Sequence, residues 1–304
     1  MKRGVGRRYE RNIVWMLGSP RSGTTWLMQM FGDHPGLATI DEPLIGAYLG
    51  PFVAELPGMD GEKLTAENFT LRRIQADNPN QFFCEQHADV WLPALGRMIR
   101  ERFAAQAGRR STLIVKEPNG SQSADVLLRA TPRSRVLFVL RDGRDVVDSE
   151  TAGSGRDGWV GSGFPGYTGI DPEDRTAFVA HSARKWLWRT TVVQEAYAAH
   201  RGPKLLLRYE DMLADPVRRM REVLDWLGEP LAEDQLRGLV DKRAFDKVPL
   251  DARGPKHFYR AASPGLWQLN LSADEQAAML DVIGPKLDEL GYATTPDNAS
   301  VQAG

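Results

Sequence analysis

With 304 residues, 42% of them hydrophobic and 26% charged, the chain is long enough to bury a sizeable core and has the composition of an ordinary globular protein. Thirty-nine basic residues against 40 acidic ones leave a net charge of −1, which excludes a global basic field for nucleic acid or an anionic membrane, so any local cluster of Arg and Lys is aimed at a particular anion. The single cysteine, Cys84, excludes an intramolecular disulfide, no apolar run approaches the roughly 20 residues of a membrane span, and the run behind the basic start is too short for a signal-peptide core, so a cytoplasmic chain is expected.

In chain order, Ile13–Leu17 reads as a buried strand, followed across a glycine turn by a helix over Thr24–Phe31. An amphipathic helix is expected at Asp89–Ala107, a strand at Thr112–Val115 and a short helix at Asp125–Arg129. The strand Arg135–Leu140 runs into a helix that carries Ser149. A long helix, Thr176–His200, holds Trp186 and Trp188; then come the strand Lys204–Arg208 and helices at Pro216–Leu227 and Ala273–Leu290. Short Val-, Ile- and Leu-rich runs of this kind suit strands covered on both faces. Their alternation with helices predicts an α/β fold: a single domain over 1–304 with a central parallel sheet flanked by helices, a core of about 11–292 and frayed ends. Ligands of such sheets bind at the carboxyl ends of the strands. Residues 151–170 hold seven glycines in twenty positions, which suits a lid or acceptor loop as well as an exposed connection.

Three stretches carry candidate chemistry. In VWMLGSPRSGTTWLMQMF the spacing Gly18-x4-Gly23 is that of a phosphate-cradling, P-loop-like turn, but Thr24 stands where a nucleoside-triphosphate loop carries lysine, and the cation has moved to Arg21. Backbone N–H groups of the turn and of the helix start, with Arg21, Ser22, Gly23, Thr24 and Thr25, make a concave anion site. In RVLFVLRDGRDVVDSE, Arg141 stands at a strand's carboxyl end and Ser149 about two helical turns on; together they could grip a second phosphate, or Arg141, Asp142, Arg144 and Asp145 could form a salt-bridged surface turn. In YRAASPGLWQLNLS, Arg260, Gly265 and Trp267 lie in a segment too rich in Gly, Pro and Ser for regular structure.

Taken together and in this order, the three stretches resemble the sulfotransferases that use 3'-phosphoadenosine 5'-phosphosulfate (PAPS). Their first signature looks like PRSGTTW, here Pro20–Trp26; their second pairs a strand-end arginine with a serine eight residues on, here Arg141 and Ser149; their third is matched by Arg260, Gly265 and Trp267. The resemblance covers roughly residues 11–292. It implies a P-loop-like nucleotide-binding topology, with the 5'-phosphosulfate held by Arg21–Trp26 and the 3'-phosphate by Arg141, Ser149 and Arg260. It also implies an adenine sandwiched by Trp26 and Phe245 with Tyr209 at its edge, and adenosine 3',5'-bisphosphate (PAP) as product. Lys116 matches a lysine that the family sets against the sulfuryl group.

In-line sulfuryl transfer relies on positioned cations and N–H groups, and Arg21, always charged, suits an electrostatic role. No residue pattern suggests a metal, and none is expected. The acceptor must lose a proton. The histidine that the cytosolic branch carries two residues after its lysine is replaced by Pro118. In the tyrosylprotein branch a glutamate lies 21 residues after the loop arginine, which here is Glu42, within DHPGLATIDE; it is the expected base, ahead of His87 and Glu117. The expected acceptor is a small molecule, lipid or glycan. The absence of disulfides and of a membrane anchor argues against the secretory role of the tyrosylprotein branch. Rival readings are a P-loop-type nucleotide kinase, a same-fold enzyme using an aryl sulfate donor, and a nucleotide-binding protein with a dead site. The oligomeric state is left open by the residues.

Overall fold

The computed structural model describes residues 9–49, 52–53, 72–73, 80, 82–107, 112–162, 169–254, 257, 259 and 262–292. The chain divides into two compact units: Met1–Glu55, Thr70–Arg141 and Trp188–Asp251 form the first, and Leu56–Phe69, Asp142–Leu187 and Ala252–Gly304 the second.

The first unit is built on strands β1 (Ile13–Leu17), β2 (Leu37–Asp41), β5 (Thr112–Lys116), β6 (Arg135–Leu140) and β7 (Lys204–Arg208); β3 (Phe52–Val53) and β4 (Arg72–Arg73) pair separately as an antiparallel ribbon. The main sheet has the order β2-β5-β1-β6-β7, and every pairing in it is parallel. β1 lies at the centre between β5 and β6, with Met16 opposite both Lys116 and Leu137. The connections out of the adjacent strands β1 and β6 run to opposite sides of the sheet, to β2 and to β7, so the crevice opens beyond the carboxyl ends of these two strands.

All five side chains of β1 are buried, as a strand sandwiched between helical layers requires. Val14 and Met16 join a core cluster with Leu27 and Phe31 of the helix Thr24–Asp33 and with Met220, Leu224, Leu236 and Val240 of the helices Pro216–Leu227 and Glu233–Lys242. Trp15 packs instead against Phe103 of the helix Ala88–Ala107, ring centroids 5.8 Å apart, and its indole N–H donates to Thr131 Oγ1 at 2.9 Å. Each such buried large side chain contributes about 1.5–3 kcal/mol relative to exposure. Local signals set the helix ends: Asp215 caps the backbone N–H of Arg218, Pro216 takes the first helical position, and Gly228 stops the helix at φ 77.

In the second unit, the helix Gly143–Ser154 packs against the short helix Trp267–Asn270 and the helix Ala273–Glu289. The latter opens on a capping box in which Ser272 and Glu275 exchange side-chain-to-backbone bonds. The helix Arg175–Ala199 follows in chain order after the Gly-rich stretch.

The α/β class and the parallel sheet match the expectation from sequence, and three of the four expected strands have the expected bounds, with Lys116 added to the fourth. β2 and the helix Glu233–Lys242 are among the elements that carry no sequence forecast. β2 is an edge strand whose only well-buried side chain is Ile40, so it lacks an apolar run, and Glu233–Lys242 is a helix with a narrow apolar stripe. The segment around Gly265 is also more regular than expected, since Trp267 opens a helical turn. The surface-turn alternative for Asp142, Arg144 and Asp145 is overturned: all three are buried, because their charges meet partners inside the unit. Of the Gly-rich stretch, 151–154 belong to a helix, Gly155 bridges to Ile170, Trp159–Ser162 form a 3-10 turn, and 163–168 lie outside the described residues.

Candidate active site

The carboxyl ends of the parallel strands deliver, one after another, the residues singled out by the sequence. After β1 the chain turns sharply: Gly18 sits so close to β6 that a Cβ would lie 2.2 Å from the Val139 carbonyl oxygen, and its N–H donates to Ser121 Oγ at 3.0 Å. Arg21 has φ 70 and Gly23, the N-cap of the helix Thr24–Asp33, has φ 83. Left-handed residues within a turn of this kind point successive N–H groups into one concavity, and the first N–H groups of the helix add to it. Arginine in that conformation costs about 1 kcal/mol or more, and such strain persists where neighbours over-determine it.

One such neighbour is Arg141, at the end of β6. Its Nη1 donates to the Arg21 carbonyl oxygen at 2.8 Å, and its guanidinium lies 4.4 Å above the ring of Tyr209, the first residue after β7. Tyr209 also backs Gly23, where a Cβ would come within 2.5 Å of the ring. Gly23→Ala is therefore expected to strain the turn twice, by backbone and by collision, and to lower the thermal midpoint by several degrees, the equivalent of about 1–3 kcal/mol. Calorimetric unfolding of the variant checks this.

Two buried donors, one in this loop and one beside it, lack partners among the described residues: Ser22 Oγ, in a residue 1% exposed, and Arg141 Nε. A buried donor left unmade costs about 1–3 kcal/mol, and an anion seated in the turn would supply the missing acceptors. Thr24 is buried and Thr25 half-buried on the first helical turn.

Trp26 is half-buried, lies edge-on to Tyr209 at 6.5 Å, and donates its indole N–H to the Arg243 carbonyl oxygen at 2.7 Å. Asp33, at the far end of the same helix, binds both Lys242 and Arg243; the Arg243 hydrogen bond, chiefly, holds its carboxyl down at about 2. These bonds fasten to the loop's helix the segment that continues into Phe245, itself half-buried.

On the other side of β1, register places Asp41 of β2 beside Lys116 of β5. The Lys116 side chain is 4% exposed, and its ammonium lies 2.9 Å from Asp41 Oδ1 and 2.7 Å from Glu42 Oε1. Asn119 donates to the second oxygen of Glu42, whose backbone is left-handed at φ 43. Glu117, completely buried, accepts from the backbone N–H groups of Leu44 and Gly46 at 3.1 Å each. Burial pushes its carboxyl up to about 7, against the lowering effect of those two N–H groups and with a smaller push from Glu42. His87 is exposed in the turn before the helix Ala88–Ala107.

The first unit thus brings together Arg21, Ser22, Gly23, Trp26, Arg141 and Tyr209, and separately Lys116 with Glu42. Asp41 and Asn119 were not foreseen; neither has a local signal, since both reach the cluster through tertiary contacts. Ser149 and Gly265 belong to the second unit, where Ser149 is buried. There Gly265 donates its N–H to Asp145 at 2.9 Å, Asn270 donates to Asp148 at 3.1 Å, and the Arg144 guanidinium, paired with Asp142, lies 4.8 Å over Trp267. Asp145 and Asp148, with the Arg144 contact to Trp267, therefore fasten the third stretch to the helix Gly143–Ser154. Arg260 lies outside the described residues. Among the described residues, no three His, Cys, Asp or Glu side chains are grouped to hold a metal ion, and no helix is long and apolar enough to cross a membrane.

The model of the Sulfotransferase family matches residues 14–234, from β1 through the helix Pro216–Leu227, and so takes in the loop and every strand of the main sheet. The chain belongs to the sulfotransferase family. Within it, the chain is 22% identical over 298 residues to a protein-tyrosine sulfotransferase of Drosophila melanogaster, covering 95% of this chain and 54% of that protein. It is 25% identical over 313 residues to the nodulation protein NoeE of Sinorhizobium fredii, covering 94% of this chain and 67% of that one. The sulfotransferase thus spans about half the length of the first relative and two thirds of the second. In fold it is similar to mouse sulfotransferase SULT7A1, solved in complex with PAP, with a TM-score of 0.57 at 11% identity, covering 95% of this chain and 86% of that one.

Proposed function

We propose that this sulfotransferase moves the sulfuryl group of PAPS onto a hydroxyl or amine of a small-molecule, lipid or glycan acceptor, as one domain over residues 1–304, in the cytoplasm. The observation that carries the reading is the convergence, beyond the carboxyl ends of five parallel strands, of a strained anion-binding turn with Lys116, Glu42, Arg141 and Tyr209. Ser22 Oγ in that turn and Arg141 Nε beside it are buried donors without a partner among the described residues. Family membership supports sulfuryl transfer, and the PAP bound to the mouse fold neighbour supports the donor class.

In this reading the N–H groups of the turn, with Arg21, Ser22, Thr24 and Thr25, hold the 5'-phosphosulfate. Arg141, Ser149 and Arg260 hold the 3'-phosphate. Trp26 and Phe245 flank the adenine, with Tyr209 at its edge. The N–H of Gly265 is already engaged by Asp145, so that glycine shapes the segment behind Arg260. The sulfur–oxygen bond to the 5'-phosphate breaks as the bond to the acceptor oxygen forms. Glu42 takes the acceptor's proton, and PAP leaves. Arg21 and Lys116 offset charge on the sulfuryl oxygens and the departing phosphate. A kinase would need a lysine at position 24 to bridge β- and γ-phosphates, and Thr24 stands there.

Titration calorimetry of PAP against ADP and ATP, with and without Mg²⁺, tests the donor. Metal-independent binding that requires the 3'-phosphate is expected; preference for ATP with Mg²⁺ returns the site to the kinases, and no nucleotide binding points to an aryl sulfate donor.

A further inference from the structure

Among the described residues, Glu117 is the one carboxylate at the strand ends that is completely buried, and the transfer chemistry above does not use it. Its backbone is tied on both sides: its N–H donates to the Met16 carbonyl oxygen of β1 at 3.0 Å, and its carbonyl accepts from Ser121 Oγ, the hydroxyl that also receives the Gly18 N–H. Its side chain reaches the other way, into the loop after β2. There Glu42 and Leu44 both adopt left-handed backbone, at φ 43 and φ 58, which neither side chain favours. Three bonds hold that shape: Glu42 N–H to the Lys116 carbonyl oxygen at 2.9 Å, Leu44 N–H to Glu117 Oε2 and Gly46 N–H to Glu117 Oε1.

We propose that Glu117 is a positioning residue whose carboxylate, by accepting one backbone N–H on each oxygen, sets the 42–46 loop and so aims Glu42 at the acceptor. The proposal rests on the reading of Glu42 as the base. The ionised form offers both oxygens as strong acceptors; protonation turns one of them into a hydroxyl, a weaker acceptor whose own proton then needs a partner. The same would hold for glutamine, whose amide NH₂ replaces one acceptor.

The surroundings make the bracket sensitive to pH. Burial raises the Glu117 carboxyl to about 7, and Glu42 adds to the rise. Lys116, one residue earlier on β5, directs its ammonium to Asp41 and Glu42. Arg189, which reaches the segment Pro118–Ser123, donates to Gln122. Neither that segment, nor β1, nor Ile45–Leu49 carries an acidic or basic side chain. The group is therefore protonated below about 7 and ionised above it, and the loop is fully bracketed only on the alkaline side.

The test follows the backbone amide signals of Glu42, Leu44 and Gly46 by nuclear magnetic resonance in the PAP-saturated, ¹⁵N-labelled protein, from about pH 5.5 to 8.5. It is run alongside release of PAP from PAPS with water as acceptor. All three amides are expected to titrate with one midpoint near 7 and turnover to rise through it; in Glu117→Gln the titration disappears and turnover stays at the parent's acid-side level, about 10- to 100-fold below the parent's alkaline plateau, with PAP affinity within about two-fold. Amides of Leu44 and Gly46 that ignore pH overturn the proposal. So does a Glu42 amide, with turnover, that stays unmoved while the other two titrate. If Glu117→Gln does not fold, the titration of the parent protein decides alone. Failure of the parent to bind PAP sinks the donor reading, and the same titration, run on the unliganded protein, still judges the bracket.

Discussion

Glu42→Gln is expected to lower the rate of sulfuryl transfer by about 10²- to 10⁴-fold while leaving PAP affinity within about two-fold. The substitution is nearly isosteric and keeps an oxygen for Asn119, so the loop retains its shape. What it removes is the proton acceptor. It also leaves Lys116 with Asp41 as its remaining carboxylate among the partners described. Single-turnover release of PAP, with the donor saturating, isolates the chemical step from nucleotide binding. Parent-like turnover would rule Glu42 out as the base and move attention to Asp41, the second carboxylate on the Lys116 ammonium.

Arg141→Ala is expected to weaken PAP binding by about 100-fold, or near 3 kcal/mol. The side chain has three observable commitments: a bond to the Arg21 carbonyl that steadies the strained turn, a face-on contact with Tyr209, and a buried Nε with no acceptor among the described residues. Lysine restores the charge but neither the fork nor the stacked plane, so Arg141→Lys should recover only a small part of the loss. The diagnostic comparison is with AMP, which lacks the 3'-phosphate. A loss confined to PAP assigns Arg141 to that phosphate; an equal loss for both nucleotides means that it acts through the turn alone.

What the residues themselves determined is local. The apolar runs Ile13–Leu17, Arg135–Leu140 and Lys204–Arg208 are strands because sandwiched strands need no polar face. The turn from Gly18 to Gly23 was legible because its glycines, its displaced cation and the helix behind it are contiguous, and both glycines sit where a Cβ would collide. The order of the three stretches pointed to the family that the match over 14–234 establishes. β2 was not legible, because an edge strand with one buried side chain carries no apolar run.

The rest was decided by topology, through partners far apart in the chain. Lys116 finds Asp41 across 75 residues because β5 lies beside β2 in that register. Glu117 reaches Leu44 across 73 residues, Trp26 reaches Arg243 across 217, and Asp145 holds Gly265 across 120. A buried carboxylate such as Glu117 looks in the sequence like any other acidic residue beside a lysine. Only the folded sheet, by removing water and offering two N–H groups, makes it a bracket. Spacing along the chain specifies turns and strands. The charge and reach of a side chain acquire a role once parallel strands bring their carboxyl ends to one edge.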